Sequence, residues 1–242
     1  MKTFISPLGV LIAAIVAWMA LHALVGEGSL ASPFTTLTQL VSMVGTAEFW
    51  QNAGETLRAL VYAFVLSLAG GLAIGVGLGA NRFLGVVVEP ILLNLYSLPK
   101  VTLYPLVLLV FGLGTSAKVA FGVMHGMIPV LLFTMNAIRQ MKPVYLRSAQ
   151  TMGLTPWQRV TRVMLPAAAP EISTGVRLGF SLTLLGVLIG EMFASQHGLG
   201  YLLTRAMNLG DSRTLMAVAL VLIAFALTCN SFLARVERRV RP

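Results

Sequence analysis

Apolar and polar positions alternate along this chain in blocks rather than residue by residue. Apolar runs fill 4–25, 57–80, 84–113, 117–138, 172–194 and 215–234, with short polar stretches between them. A helix of about 20 apolar residues crosses the hydrocarbon core of a bilayer, so the pattern predicts an all-α, polytopic transmembrane bundle of six spans. The first run follows Lys2, lacks a small-x-small cleavage site after it and exceeds a signal-peptide core; it reads as an uncleaved span. Residues 26–55 hold Glu27, Glu48 and Glu55 but no Lys or Arg, which suits the outer side. Within them Leu37, Leu40, Val41 and Val44 recur at helical spacing ahead of Phe49-Trp50, predicting a surface-lying helix with an aromatic anchor. The chain thus divides into 1–55, the first span and outer helix, and 56–239, a five-span core carrying a cytoplasmic loop at 139–171.

The spans differ in what they carry. Ala63, Ser67, Gly71, Gly75 and Gly79 line one stripe of the second, and Gly175, Gly179, Thr183, Gly186 and Gly190 one face of the fifth. Small side chains let a neighbouring helix approach closely in lipid. The third run is too long for one straight span and contains Pro90, Pro99 and Pro105, which kink or break helices. Lys100 sits inside it, beside Ser97, Thr102 and Tyr104. A charge at that depth must face a cavity or a partner, so Lys100 either pairs within the bundle or meets an anion on a path. The fourth span carries Gly122, Gly126, Pro129 as a kink site, and His125, read as hydrogen-bonded within the bundle. On the fifth, Arg177 snorkels at one end, while Glu191 at the other forms an ion pair or an outer gate. Ser97, Lys100, Thr102, Tyr104, Thr183 and Glu191 are the candidate path residues.

One polar, basic island interrupts the apolar runs, at residues 142–170. Pro143 suits a first helical position, Gly153 the left-handed position after a helix end, and Thr155-Pro156-Trp157-Gln158 a capping box opening a second helix. Leu165-Pro166 is expected to stop it. The prediction is helix, glycine turn, helix, in water: a knob suited to docking a partner.

At 57% hydrophobic and 10% charged residues, the composition excludes an ordinary soluble domain. A net charge of +9 raises nucleic acid as a partner, but the basic residues flank the spans, which is a topology signal. Lys2, Arg82, Arg139, Lys142, Arg147, Arg159, Arg162, Arg235, Arg238, Arg239 and Arg241 fall on one side, only Arg58, Lys118, Arg205 and Arg213 on the other. Both termini are then cytoplasmic. Lone Cys229 allows no disulfide framework, no metal-ligand cluster is apparent, and no G-x-x-x-x-G-K-[ST] loop is present. The chain is therefore expected to hold no cofactor or metal and to be no enzyme by itself.

Gly153, nine residues, then Val163-Met164-Leu165-Pro166 resembles the EAA loop of ABC importer permeases, E-A-A-x-x-x-G-x(9)-I-x-L-P. Aligned on Gly153, Arg147 stands at the Glu position, Ser148 and Ala149 at the two Ala positions. That replacement changes the charge at the partner interface, not the fold. Glu55-Thr56-Leu57-Arg58, residues 98–106, Phe111-Gly112-Leu113-Gly114, Gly175-Val176-Arg177, Glu191-Met192 and Gly198-Leu199-Gly200 are similar to the nitrate/taurine/aliphatic-sulfonate branch, over about 32–239. The resemblance implies a bacterial inner-membrane permease subunit that pairs with a copy of itself. It implies two cytoplasmic ATPase subunits binding ATP and Mg, and a periplasmic or lipid-anchored binding protein delivering a small solute, an organic anion such as a sulfonate being favoured by Lys100. Arg147, Ser148, Ala149, Thr151, Met152, Gly153, Leu154, Thr155, Leu165 and Pro166 are the coupling residues it implies. The competing readings are an ATP-independent channel or secondary carrier, and a membrane assembly factor.

Overall fold

The structure, a computed structural model, describes residues 7–240. Lys2, the expected start of the first span at residue 4, and Arg241 lie outside them. The described residues form helices and turns, with no strand. Helix α1 (Pro7–Val25) is followed by α2 (Pro33–Val44), α3 (Ala47–Ala80) and α4 (Arg82–Ser97). A 3₁₀ turn (Lys100–Leu103) leads into α5 (Tyr104–Phe111), then come α6 (Thr115–Arg139) and α7 (Pro143–Thr151). A short α8 (Pro156–Arg159) runs through a π-helical segment (Val160–Met164) into α9 (Leu165–Ala194), with α10 (Leu199–Asn208) and α11 (Ser212–Val240) last.

Among the described residues four rods are long and apolar enough to span a membrane: α3, α6, Pro156–Phe193 and α11. α4 and the 3₁₀–α5 segment pass the same test only as a pair, bent by 86° at their junction, which makes them a broken span or a re-entrant loop. The apolar part of α1, Ile12–Val25, is shorter. Of the three prolines in the third run only Pro99 marks the break; Pro90 lies inside α4 and Pro105 in the first turn of α5, where its missing N–H breaks no bond.

The centre is a close-packed trio. α3 and α6 run parallel, and α9 runs antiparallel to α6. A Cβ added at Gly71 would meet Val130 at 2.7 Å, at Gly75 Thr134 at 2.7 Å, and at Gly79 Ile138 at 2.9 Å. The α6–α9 seam repeats this: a Cβ at Gly175 would meet Phe133 at 2.5 Å, and one at Gly186 the Phe121 carbonyl at 2.8 Å. Both small stripes therefore serve packing. Lipid tails are as apolar as leucine, so helices associate through such contact, not through a hydrophobic drive. His125 donates from Nδ1 to the Phe121 carbonyl at 2.9 Å, inside this trio. α4 and α5 lie against α6, and α11 against α9, α10 and α2.

Several expectations need correction. α3 begins at Ala47, not near residue 57, and at 34 residues is about 51 Å long at 1.5 Å per residue, so it projects beyond the hydrocarbon. The expected division at 55/56 consequently falls inside a helix. Trp50 belongs to this projecting part, and its indole N–H donates to the Val44 carbonyl at 2.8 Å, capping the end of α2. Arg177 does more than snorkel: its Nε lies 3.0 Å from Glu237 of α11, whose carboxylate also accepts from Thr174 at 2.7 Å. Leu165-Pro166 does not stop its helix. The wide π segment lies just ahead of Pro166 and opens the carbonyls its ring would strike, so the helix continues as α9. At the opposite end, the Thr214 hydrogen bond holds the Asp211 carboxyl below the usual range.

Gly126→Val places a side chain against Thr183 Oγ1 and the Gly179 carbonyl. It is expected to cost about 3 kcal/mol or more in thermal or SDS unfolding. Gly77→Ala points into open space and is expected to stabilise by up to about 1 kcal/mol.

Candidate functional site

At the basic end of the bundle, α7 and α8 form a hairpin stiffened from both sides of Gly153. Gly153 has φ +65°, a left-handed value that costs glycine nothing. The Leu154 N–H reaches the Ala149 carbonyl at 3.1 Å and the Gly153 N–H the Gln150 carbonyl at 3.0 Å, the paired bonds of a Schellman stop. Thr151 Oγ1 turns back on the Arg147 carbonyl at 2.9 Å. Immediately beyond, the Thr155 N–H donates to Gln158 Oε1 (2.9 Å) while the Gln158 N–H donates to Thr155 Oγ1 (3.3 Å). Arg159 Nε closes the turn on the Leu154 carbonyl at 2.9 Å.

Buried Ala149 and half-buried Leu146 seat the hairpin, the latter against the cluster of Ile138, Met164 and Ala168. Arg147, Ser148, Thr151, Met152, Gly153 and Thr155 are exposed, Leu154 and Leu165 half-buried, and Pro166 exposed. Val144 (58% exposed), Tyr145 and Trp157 (74%) join Met152 (74%) as exposed apolar side chains of the hairpin. Sequence reasoning passed over Val144, Tyr145 and Trp157, although a tryptophan in an otherwise polar turn is itself a contact signal. Residues 139–170 contain Arg139, Lys142, Arg147, Arg159 and Arg162 and no acid. Because α8, the π segment and α9 are one rod from Pro156 to Phe193, a push on the hairpin is delivered directly to a span.

The path candidates separate into three places. Ser97, Lys100 and Thr102 gather at the α4–α5 break. Ser97 and Thr102 are exposed and bond back to local carbonyls, of Asn94 at 2.9 Å and Pro99 at 2.8 Å. Lys100 is only 8% exposed; its ammonium reaches the Tyr96 carbonyl at 3.4 Å and lies 5.2 Å from the Tyr96 ring centroid. Among the described residues no carboxylate pairs with it. Thr183 is fully buried in the α6–α9 seam, its hydroxyl on the Gly179 carbonyl at 2.7 Å.

Tyr104 and Glu191 meet at the far end of the bundle. Glu191, fully buried, accepts from Thr56 Oγ1 at 2.8 and 2.9 Å and from the Gly200 N–H at 3.0 Å. Lys118 Nζ stands 3.7 Å from it and donates to the His197 carbonyl at 2.8 Å. Thr56 Oγ1 also accepts from the Leu199 N–H (2.8 Å), Asn52 Oδ1 accepts from the Gly198 N–H (2.7 Å), and Tyr104 donates to the Gly190 carbonyl (2.7 Å). Gly198, at φ +122°, lies so close that a Cβ there would strike the Glu191 carboxylate. The cluster ties α3, α5, α6, α9 and the start of α10 together. Asn52 was not legible as part of it.

Residues 69–242, well over half of the chain, match the family of binding-protein-dependent transport system inner membrane components. The chain belongs to that family. This permease is 24% identical over 242 residues to the taurine transport system permease protein TauC of Escherichia coli, covering 97% of this chain and 88% of that one. It is 25% identical to the putative aliphatic sulfonates transport permease protein SsuC of Bacillus subtilis, covering 96% and 86%. Its fold is that of a chain of the inward-facing MetNI methionine ABC transporter, with a TM-score of 0.63 at 20% identity over 78% of this chain and 94% of that one. The protein is an ABC importer permease subunit, an all-α multi-pass membrane protein.

Glu191→Ala strips acceptors from Thr56 and Gly200 and leaves Lys118 buried without its counter-charge; a loss of about 3 kcal/mol is expected in SDS unfolding. Glu191→Gln retains the hydrogen bonds and is expected to lose less.

Proposed function

We propose that two copies of this permease form the translocation path of an ATP-driven importer, with both termini in the cytoplasm. Two separate ATPase subunits bind ATP and Mg and grip the α7–α8 hairpin; a binding protein delivers the solute at the Glu191 end. The observation carrying this reading is the hairpin's form: two capped turns with exposed Tyr145, Met152 and Trp157, continuous with α9 through an unbroken helix. A lever of that build moves a span when its docked partner changes state, provided the partner contacts it differently in its two states.

The solute is a small organic anion such as a sulfonate, or is nitrate- or taurine-like. Buried Lys100 supports this, since an ammonium held at a helix break beside a carbonyl and a ring, with no carboxylate paired to it among the described residues, has an unmet need for negative charge. The names of TauC and SsuC agree with that chemistry.

Gly153→Val forces a β-branched residue into a left-handed position. In proteoliposomes with the cognate ATPase and binding protein, it is expected to abolish ATP-dependent uptake while ATPase activity continues. Normal uptake in that variant would refute the coupling role, and uptake by the permease alone would make it a channel or secondary carrier. Lys100→Met is expected to lower anion uptake roughly tenfold, the loss of one charge-assisted contact, without changing the thermal midpoint. An unchanged rate would leave Lys100 a structural residue.

A further inference from the structure

Beside the hairpin, a cavity of about 850 Å³ opens between the α3–α4 turn, the end of α6 and the α7–α8 pair. Its lining combines two chemistries. Val86, Ile138 and Met164 give it an apolar floor, while Arg82, Arg139 and Arg159 stand around it, and no carboxylate lines it. Arg139 is already neutralised, its guanidinium 2.7 Å from Glu89. Arg159 spends Nε on the Leu154 carbonyl, which leaves its two terminal nitrogens for a ligand, and Arg82 is exposed. The cavity lies where the long apolar rods α3 and α6 both end, at Ala80 and Arg139, and the end of an apolar span is where lipid headgroups are expected.

We propose that this cavity is a headgroup site for an anionic phospholipid, the phosphate held by Arg82 and Arg159 and the first acyl methylenes lying on Val86, Ile138 and Met164. Basic pockets between spans at a membrane surface attract anionic headgroups, each Lys or Arg adding to the affinity. The apolar floor decides between possible occupants. Free phosphate has no use for it, and an acidic protein segment would leave it half covered. A lipid seated there is wedged against Pro156 and Leu146, so it braces the hairpin from below without belonging to the docking surface.

The test is native mass spectrometry of the full-length permease, alone and with its ATPase, exchanged into mixed micelles of phosphatidylglycerol and phosphatidylcholine. Preferential retention of phosphatidylglycerol is expected in both preparations. Arg82→Gln/Arg159→Gln is expected to weaken that retention roughly tenfold or more, two surface-level charges being lost. Arg82→Lys/Arg159→Lys keeps the charge and should keep the lipid, which separates binding from misfolding. Arg238→Gln/Arg239→Gln, away from the cavity, should leave retention unchanged. Four results would overturn the proposal. They are equal retention of phosphatidylcholine, equal loss in the Arg238/Arg239 pair, displacement of the lipid by equimolar inorganic phosphate, or disappearance of bound lipid once the ATPase is present.

Discussion

Backbone-to-backbone contact along the α3–α6 and α6–α9 seams is the constraint on which the remaining architecture rests. Inside a bilayer, burying apolar side chains against each other gains little over burying them in lipid, so only close van der Waals approach holds helices together. Gly71, Gly75 and Gly79 on α3, Gly122 and Gly126 on α6, and Gly175, Gly179, Gly186 and Gly190 on α9 supply that approach. Parallel α3 and α6 need a crossing between them, and the bent α4–α5 pair provides it.

Charge follows the same economy. An ionised group within or near the hydrocarbon is tolerated when it is paired, and four acids of the bundle show this. Glu89 holds Arg139, Glu237 holds Arg177, Glu48 holds Arg205, and Glu191 holds Lys118 within a shell of hydrogen bonds. Each pair joins two helices and so fixes an end of the bundle. Lys100 departs from the rule, meeting a carbonyl and a ring instead of a carboxylate, and it does so at the break. The unusual charge and the unusual backbone coincide, which is the arrangement expected where something polar must pass.

The hairpin and α9 show how one local device changes a mechanical role. Had Pro166 ended the helix, the basic loop would be a tethered domain, and its displacement would dissipate in a flexible joint. The π segment at Val160–Met164 removes the joint and turns the loop into the end of a lever. Its seat, Leu146 against Ile138, Met164 and Ala168, couples it also to the foot of α6.

The helical class, the apolar runs, the Gly153 turn, the Thr155–Gln158 box and the glycine stripes were all legible in the order of residues, because each depends on contacts within a few positions or on lipid as a uniform solvent. Family membership was legible too, in spaced motifs that survive low identity. Which proline breaks a helix was not: Pro90 and Pro166 are accommodated by their surroundings, Pro99 is not. Nor could Glu191 be assigned its partners Thr56, Lys118 and Gly200, or Arg177 its partner Glu237, since those residues come from distant segments. Local stereochemistry and the solvent determine the elements; how close two distant backbones come, and therefore which buried charges and prolines find relief, is decided only when the helices pack.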